Sequence, residues 1–226
     1  RCMVMSGGAV AEACTQLLQR VKHIAAKVLD VSVADLILQD GCIKNSSATH
    51  KLSLAEVAHI WYRKPQLLPP DVDPAGLEVT VGYKAKVDTG TFSYACHAVA
   101  VSVDAGTGHV QLLDYVVVED AGVLVNPMIV DGQILGGLAQ GIGTALYEEM
   151  PYDDQGQPLA STLADYTLPG ATEVITPKII HMETPSPYTR FGQKGMGEGG
   201  AIAPPAAIAN AVNDALKTLQ VEVTDL

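Results

Sequence analysis

Apolar residues recur at three- and four-residue steps in some stretches of the chain and alternate in others, and this contrast predicts where helices and strands fall. From Val10 through Cys14, Leu17, Val21, Ile24 and Val28 the steps are helical, with Glu12, Arg20, Lys22 and Lys27 mainly on other faces and Ser6 or Gly7 placed to cap the start. From Val31 to Asn45 the pattern shortens to strands around Asp40-Gly41, a dipeptide suited to a tight hairpin. Ser53-Leu54-Ala55-Glu56 has capping-box spacing and opens a short helix through about Trp61. The proline- and aspartate-rich segment from Pro65 to Pro74 reads as a linker. It divides the chain into a helix-plus-hairpin lobe at residues 1–75 and a second lobe at residues 76–226.

In the second lobe Val79, Val81 and Tyr83 alternate, as do His97, Val99, Val101 and Val103. Asp104-Ala105-Gly106-Thr107-Gly108 then turns the chain into Val110, Leu112 and Tyr115 to Val118, so an antiparallel sheet is expected. His97 lies in this pattern with no second His, Asp or Glu at a metal-binding offset, which favours a structural role. Asn126-Pro127 reads as an N-cap and first helical residue, followed by the core stripe Val130, Ile134, Leu138, Ile142 and Leu146. Another face of this helix carries Gln133, Gly136, Gly137 and Gln140. Each glycine costs a helix roughly 1 kcal/mol relative to alanine, so something must approach that face closely: packing, or a polar cofactor. A further strand is expected at Lys178–Met182, and an amphipathic helix past Pro205 on Ile208, Val212, Ala215, Leu216 and Leu219. The fold class is α+β, with mixed or antiparallel sheets packed with helices.

Composition narrows the function classes. At 226 residues, 48% hydrophobic and 17% charged, the chain is long and apolar enough to bury a substantial core. A formal net charge of −11 argues against a nucleic-acid or anionic-membrane partner, which would call for clustered Lys and Arg. No apolar run approaches the roughly 20 residues needed to span a bilayer, and the start does not read as a signal peptide, so a cytoplasmic chain is expected. Cys2, Cys14, Cys42 and Cys96 are widely spaced with no Cys-x-x-Cys, which leaves them as reduced thiols rather than ligands of zinc or an iron–sulfur cluster. Arg1-Cys2-Met3-Val4-Met5 is apolar from the start and lacks an initiator methionine, as a fragment, a processed chain or a divided subunit would.

The chemistry concentrates in Phe191-Gly192-Gln193-Lys194-Gly195-Met196-Gly197-Glu198-Gly199-Gly200. Here one carboxylate stands among glycines that let a rigid group come close to the backbone, just before a helix whose positive end favours an anion. Pro185 and Pro187 stiffen the approach. Gly195-x-Gly197-x-x-Gly200 matches a dinucleotide fingerprint, but that motif needs a buried strand before it and a βαβ unit after it. The alternatives are therefore a site built on Glu198, a structural or assembly module in which the glycines serve packing, and a dinucleotide-binding domain.

Gly192-Gln193-Lys194-Gly195-Met196-Gly197-Glu198, followed by Ala206-Ala207-Ile208-Ala209-Asn210-Ala211-Val212-Asn213-Asp214-Ala215-Leu216, resembles the C-terminal part of the molybdenum-binding subunits of the xanthine dehydrogenase and aerobic carbon monoxide dehydrogenase family. The run from Asn126-Pro127 through Gly132-Gln133, Gly136-Gly137 and Gln140-Gly141-Ile142-Gly143 to Leu146-Tyr147-Glu148-Glu149 is similar to that family's cofactor-approaching segment. The likeness is dense from about Phe92 to Leu219 and looser from Arg1 to Trp61.

The resemblance implies the fold of that family's molybdenum-cofactor-binding domain and a molybdenum hydroxylase activity. In that activity Glu198 is the base for hydroxylation of an electron-poor carbon, in an N-heterocycle, purine or aldehyde, by a molybdenum-bound hydroxide. It implies that Gln140 hydrogen-bonds the cofactor and that Gly195, Met196 and Gly197 are backbone beside the metal. Arg1 and Cys2 match the end of a Gly-Ser-Arg-Ser-like segment on pterin and phosphate, with Cys2 where serine is common. No residue is implied as a direct metal ligand. The implied cofactor is molybdenum-molybdopterin in its cytosine dinucleotide form, with iron–sulfur clusters and FAD on partner chains. The family's subunit is several times longer, so the remaining part of the molybdenum subunit is an expected partner, without which this chain holds no cofactor stably.

Overall fold

The computed structural model describes residues 2–45, 47, 49–87 and 91–224. The chain forms two compact units, Cys2–Ala85 and a second running from Lys86.

In the first unit α1 (Cys2–Leu29) buries Val21, Ile24, Ala25 and Ala26 against Leu36, Ile43, Val57 and Ile60. The apolar stripe is thus buried only from its middle onward, and Val10 and Cys14 are exposed. The helix also begins earlier than a cap at Ser6 or Gly7 would allow. Gly8 lies inside it, where a Cβ would run into the Tyr83 ring. Strands β1 (Leu36–Gln39) and β2 (Cys42–Asn45) form the expected hairpin, and both Asp40 and Gly41 take the positive φ that a tight primed turn requires. A third strand, β3 (Lys51–Ser53), pairs with β2 and leads into α2 (Leu54–Arg63). The capping box is complete: Glu56 N donates to Ser53 Oγ at 3.1 Å, and Ser53 N donates to Glu56 Oε2 at 2.8 Å.

Two further expectations fail in this unit. Val79, Val81 and Tyr83 form no strand, because they find no ladder partner and Tyr83 packs on α1 instead. The segment from Pro65 to Pro74 is not a boundary, which falls between Ala85 and Lys86. Its aspartates are tied to α1 by Arg20–Asp73 at 2.5 Å and His23–Asp71 at 3.0 Å, and Arg20 also donates to the carbonyls of Gly76 and Glu78.

In the second unit β4 (Tyr94–Val103) pairs antiparallel with β5 (Val110–Asp120), and β6 (Lys178–Met182) pairs parallel with β5. The sheet is therefore mixed rather than purely antiparallel. Its inner face, with Tyr115 and Val117, packs on α3 (Pro127–Leu146) through Ile134, Leu138 and Ile142, and on α5 (Pro204–Leu216) through Ile208 and Val212. Asn126 caps α3 by accepting from Ile129 N at 3.3 Å. A short helix, α4 (Gly199–Ile202), sits against α3 where Gly137 and Gly200 leave room: a Cβ on Gly200 would strike the Ile134 backbone.

One buried ion pair joins the sheet to the glycine loop. Lys194 Nζ lies 2.9 Å from Asp120 Oδ1, with side-chain exposures of 5% and 0%. Burial opposes the charged form of Asp120, but hydrogen bonds from Thr184, Lys194 and the Gly122 backbone outweigh it and hold the carboxyl well below the usual range. The backbone repeats the attachment, because Lys194 N donates to Ala121 O at 2.8 Å while Gly192 O accepts from both Val123 N and Ser186 N. Gly122 needs its positive φ, and a Cβ there would meet the Gly192 carbonyl.

Removing one partner leaves the other charge buried alone, so Asp120→Ala should cost about 3–5 kcal/mol, measured by urea unfolding at neutral pH. Because the folded value is lowered, the pair's contribution is present above about pH 4 and is lost as pH falls through the lowered value. Below that range the difference in unfolding midpoint between wild type and Asp120→Ala should shrink.

Candidate active site

Behind the Lys194 anchor the loop turns outward into an open cavity of about 550 Å³ lined by Ser93, Tyr94, Ala95, Glu119, Gly195, Gly197, Glu198, Gly199, Ile202 and Ala203. That volume lies within the usual span for small-molecule sites. A second cavity of about 540 Å³ lies around Val103, Leu146, Val212 and Leu216. Its walls are mainly apolar and bring few polar groups together, so the Glu198 cavity is the stronger candidate for chemistry.

The loop is held on its approach and along its length. Thr189 Oγ1 donates to Gln193 O at 2.9 Å, Phe191 N donates to Gln193 Oε1 at 3.1 Å, and Gly195 N donates to Thr91 Oγ1 at 3.0 Å. From α3, Gln133 Nε2 reaches the carbonyls of Met196 and Gly197 at 3.4 and 3.2 Å. The residues before the loop form only an isolated bridge, Gly122 with Gln193, and no strand. The strand that a dinucleotide fingerprint needs is missing, which removes that alternative.

Glu198 occupies the N-cap position of α4 without making a side-chain cap bond, and it is exposed toward the cavity. Gly195 and Gly197 share the cavity wall, and no atom lies within 4 Å of where a Cβ on Gly197 would stand. Met196 does not line the cavity, because its side chain packs against the Tyr115–Ile134 core and only its backbone faces Gln133. Gln140 is exposed on α3, seven residues and so about 10 Å along the helix from Gln133, and it does not reach this cavity. On its face of α3, Gly132 and Gly136 are open, whereas Gly137 and Gly141 are closed by α4 and Pro204. Close packing thus explains part of the glycine face and leaves the rest free. Cys2 is exposed at the start of α1 in the first unit, and Arg1 lies outside the described residues.

Sequence reasoning missed Glu119. It is 1% exposed, lines the cavity, and has no protein partner for either carboxylate oxygen. A Cβ on Gly199 would stand 2.6 Å from Glu119 Oε1, so the glycine makes room for the acid. Burial, and then the neighbouring Asp120 carboxylate, push Glu119 up to about 7, against the opposing influence of His181. The signal was present in the alternation of β5, where Tyr115, Val117 and Glu119 share the inward face. His97 is half-buried with Nδ1 3.1 Å from the Tyr115 hydroxyl. Burial lowers its pKa, and the Gly199 backbone partly offsets this.

Comparison with known proteins gives this geometry a context. Residues 1–175 match the family model described as the molybdopterin cofactor-binding domain, which ends before the Glu198 loop. The chain is 41% identical over 220 residues to the nicotine 6-hydroxylase large subunit of Paenarthrobacter nicotinovorans, covering 96% of this chain and 26% of that protein. It is 32% identical over 225 residues to the carbon monoxide dehydrogenase large chain of Hydrogenophaga pseudoflava, covering 98% and 27%. Among solved structures, quinoline 2-oxidoreductase from Pseudomonas putida 86 superposes with a TM-score of 0.86 at 39% identity, over 99% of this chain and 28% of that one. The chain therefore spans about a quarter of the length of the relatives it matches. The likeness holds in sequence and fold along nearly all of the described chain, through both the α3 segment and the Glu198 loop, and the chain belongs to the molybdopterin cofactor-binding family of molybdenum hydroxylase large subunits.

Proposed function

We propose that this chain supplies one wall of the active site of a molybdenum-dependent hydroxylase that oxidises an N-heteroaromatic compound, with Glu198 as the base. The observation that carries this reading is the glycine-walled cavity in which Glu198 is the exposed carboxylate, within a chain of this family. The chain's residues fit a large polar group: Gly197 presents bare backbone to the cavity, Gly132 and Gly136 leave α3 open beside Gln140, and Glu119 offers buried oxygens without a protein partner. When bound, the molybdenum–pterin group supplies the oxygen-transfer and two-electron chemistry.

The chain's own contribution is positioning and proton transfer. Gln133 and the Lys194 anchor hold the loop, so Glu198 meets its proton donor at a fixed distance, and the carboxylate takes up one proton as the carbon is hydroxylated. The Gly195–Gly197 backbone lets the rigid group approach. The Gln140 amide, which both donates and accepts, is suited to orienting the cofactor from the open stretch of α3. We assign Met196 the same backbone role, and Arg1 and Cys2 contacts to the pterin and phosphate.

Greater identity to the nicotine and quinoline enzymes than to the carbon monoxide dehydrogenases supports an N-heteroaromatic substrate over carbon monoxide. The cytosine dinucleotide form of the cofactor, iron–sulfur and FAD partner subunits, and a cytoplasmic assembly complete the proposal. No described helix is long and apolar enough to cross a membrane.

Glu198→Gln should leave molybdenum content nearly intact and cut turnover of quinoline by roughly 10²- to 10⁴-fold, because only the base is removed. Near-normal turnover in that variant would remove Glu198 from the mechanism. Metal analysis of this chain expressed by itself should find molybdenum far below one equivalent, and a full equivalent with turnover would overturn the need for the rest of the subunit.

A further inference from the structure

Among the described residues, the buried side-chain polar atoms without a protein partner gather in one place: both oxygens of Glu119, Nδ1 of His181 and Nε2 of His97. Buried polar groups are nearly always paired, so such a group beside a cavity points to a working role rather than to packing. Parallel pairing sets Glu119 on β5 opposite His181 on β6, which brings their side chains to one face of the sheet from strands about 5 Å apart. On the far side of the imidazole, His181 Nε2 lies 2.7 Å from Asp131 Oδ1 on α3, and the Asp131 side chain is 47% exposed. That contact sets the tautomer: the carboxylate of Asp131 accepts from Nε2–H, which leaves Nδ1 with a free lone pair inside the fold.

We propose that Glu119 and His181 form a proton exit path from the Glu198 cavity to solvent at Asp131, a proposal that rests on Glu198 being the base. The proton taken up by Glu198 passes through water in the shared cavity to the Glu119 carboxylate, and Glu198 returns to its ionised form. No hydrogen bond joins Glu119 to His181, so the Glu119 proton moves through a bridging water to His181 Nδ1 as the Nε2 proton passes to Asp131 and on to solvent. Exchange with solvent at the His181 ring, 23% exposed, restores the starting tautomer. No electrons move along the path, and each group ends in the protonation state in which it began. Glu119 is not a catalytic residue in this scheme and acts through Glu198.

The electrostatics support the assignment. A carboxyl raised to about 7 by burial and by Asp120 both accepts and releases a proton near neutrality. The titratable groups facing it are Asp120 on its own strand, His97 on β4, His181 on β6 with Asp131 on α3 behind it, and Lys194 and Glu198 in the loop. Because the folded value is raised, the stability that neutral Glu119 contributes is present below the ordinary glutamate range and is lost as pH rises through about 7.

Glu119→Gln in the full-length holoenzyme keeps the size of the side chain and removes its proton. Infrared spectroscopy should show a protonated-carboxyl band that titrates near neutral pH in the wild type and is absent in Glu119→Gln. That readout needs no substrate, and a Glu119 band that titrates in the ordinary carboxylate range would overturn the path. With quinoline, Glu119→Gln should lower kcat about 10- to 100-fold with KM little changed, and imidazole added to the buffer should restore part of the rate. His181→Asn should behave in the same way. A wild-type kcat and solvent isotope effect in Glu119→Gln would overturn the path, as would a lowered kcat that imidazole fails to restore. An inactive Glu198→Gln beside a normal Glu119→Gln removes only the path, whereas a normal Glu198→Gln removes the base and the path together.

Discussion

The Asp120–Lys194 pair is the constraint on which the site depends. Two charges taken out of water are costly, and they are retained only where further hydrogen bonds complete them. Here Thr184 and the Gly122 backbone share Asp120, and Lys194 lies 4.6 Å over the Tyr94 ring. The pair fastens the end of a core strand to a glycine-rich loop, which has many backbone conformations to lose on ordering. Glu198 follows Lys194 by four residues and inherits that fixed position.

The glycines around this anchor do different work. Gly122 answers a positive φ and a crossing carbonyl, and Gly137 and Gly200 let α3 and α4 approach each other. Gly199 leaves room for the Glu119 carboxyl, and Gly197 leaves bare backbone facing the cavity. One tight wall and one open wall result. The buried acid sits where they meet, and with two histidines it accounts for the unpaired buried polar side-chain atoms among the described residues. Groups left unpaired beside a cavity are available for proton transfer.

Much of the secondary structure was legible in the chain because it rests on local rules. Asp40-Gly41 sets its own turn, Ser53 and Glu56 cap their own helix, and the stripe Ile134, Leu138 and Ile142 faces one way whatever it packs against. Where local pattern misled, a distant contact had intervened. Val79, Val81 and Tyr83 alternate like a strand, yet a strand needs a neighbour to pair with, and Tyr83 packs on Gly8 instead. The aspartates after Pro65 look like linker composition until Arg20 and His23 meet them.

The α+β class, the two motifs that resemble the molybdopterin-binding family and the lone carboxylate among glycines at Glu198 were legible in the chain, since each is written in contiguous residues. It took folding to bring Gln133 rather than Gln140 to the Glu198 loop, to carry Lys194 to Asp120, and to turn Glu119 inward beneath Gly199. Those facts join residues far apart in the chain, and burial, which raises one carboxyl while its neighbour is held low, exists only once the strands and loop have closed around them.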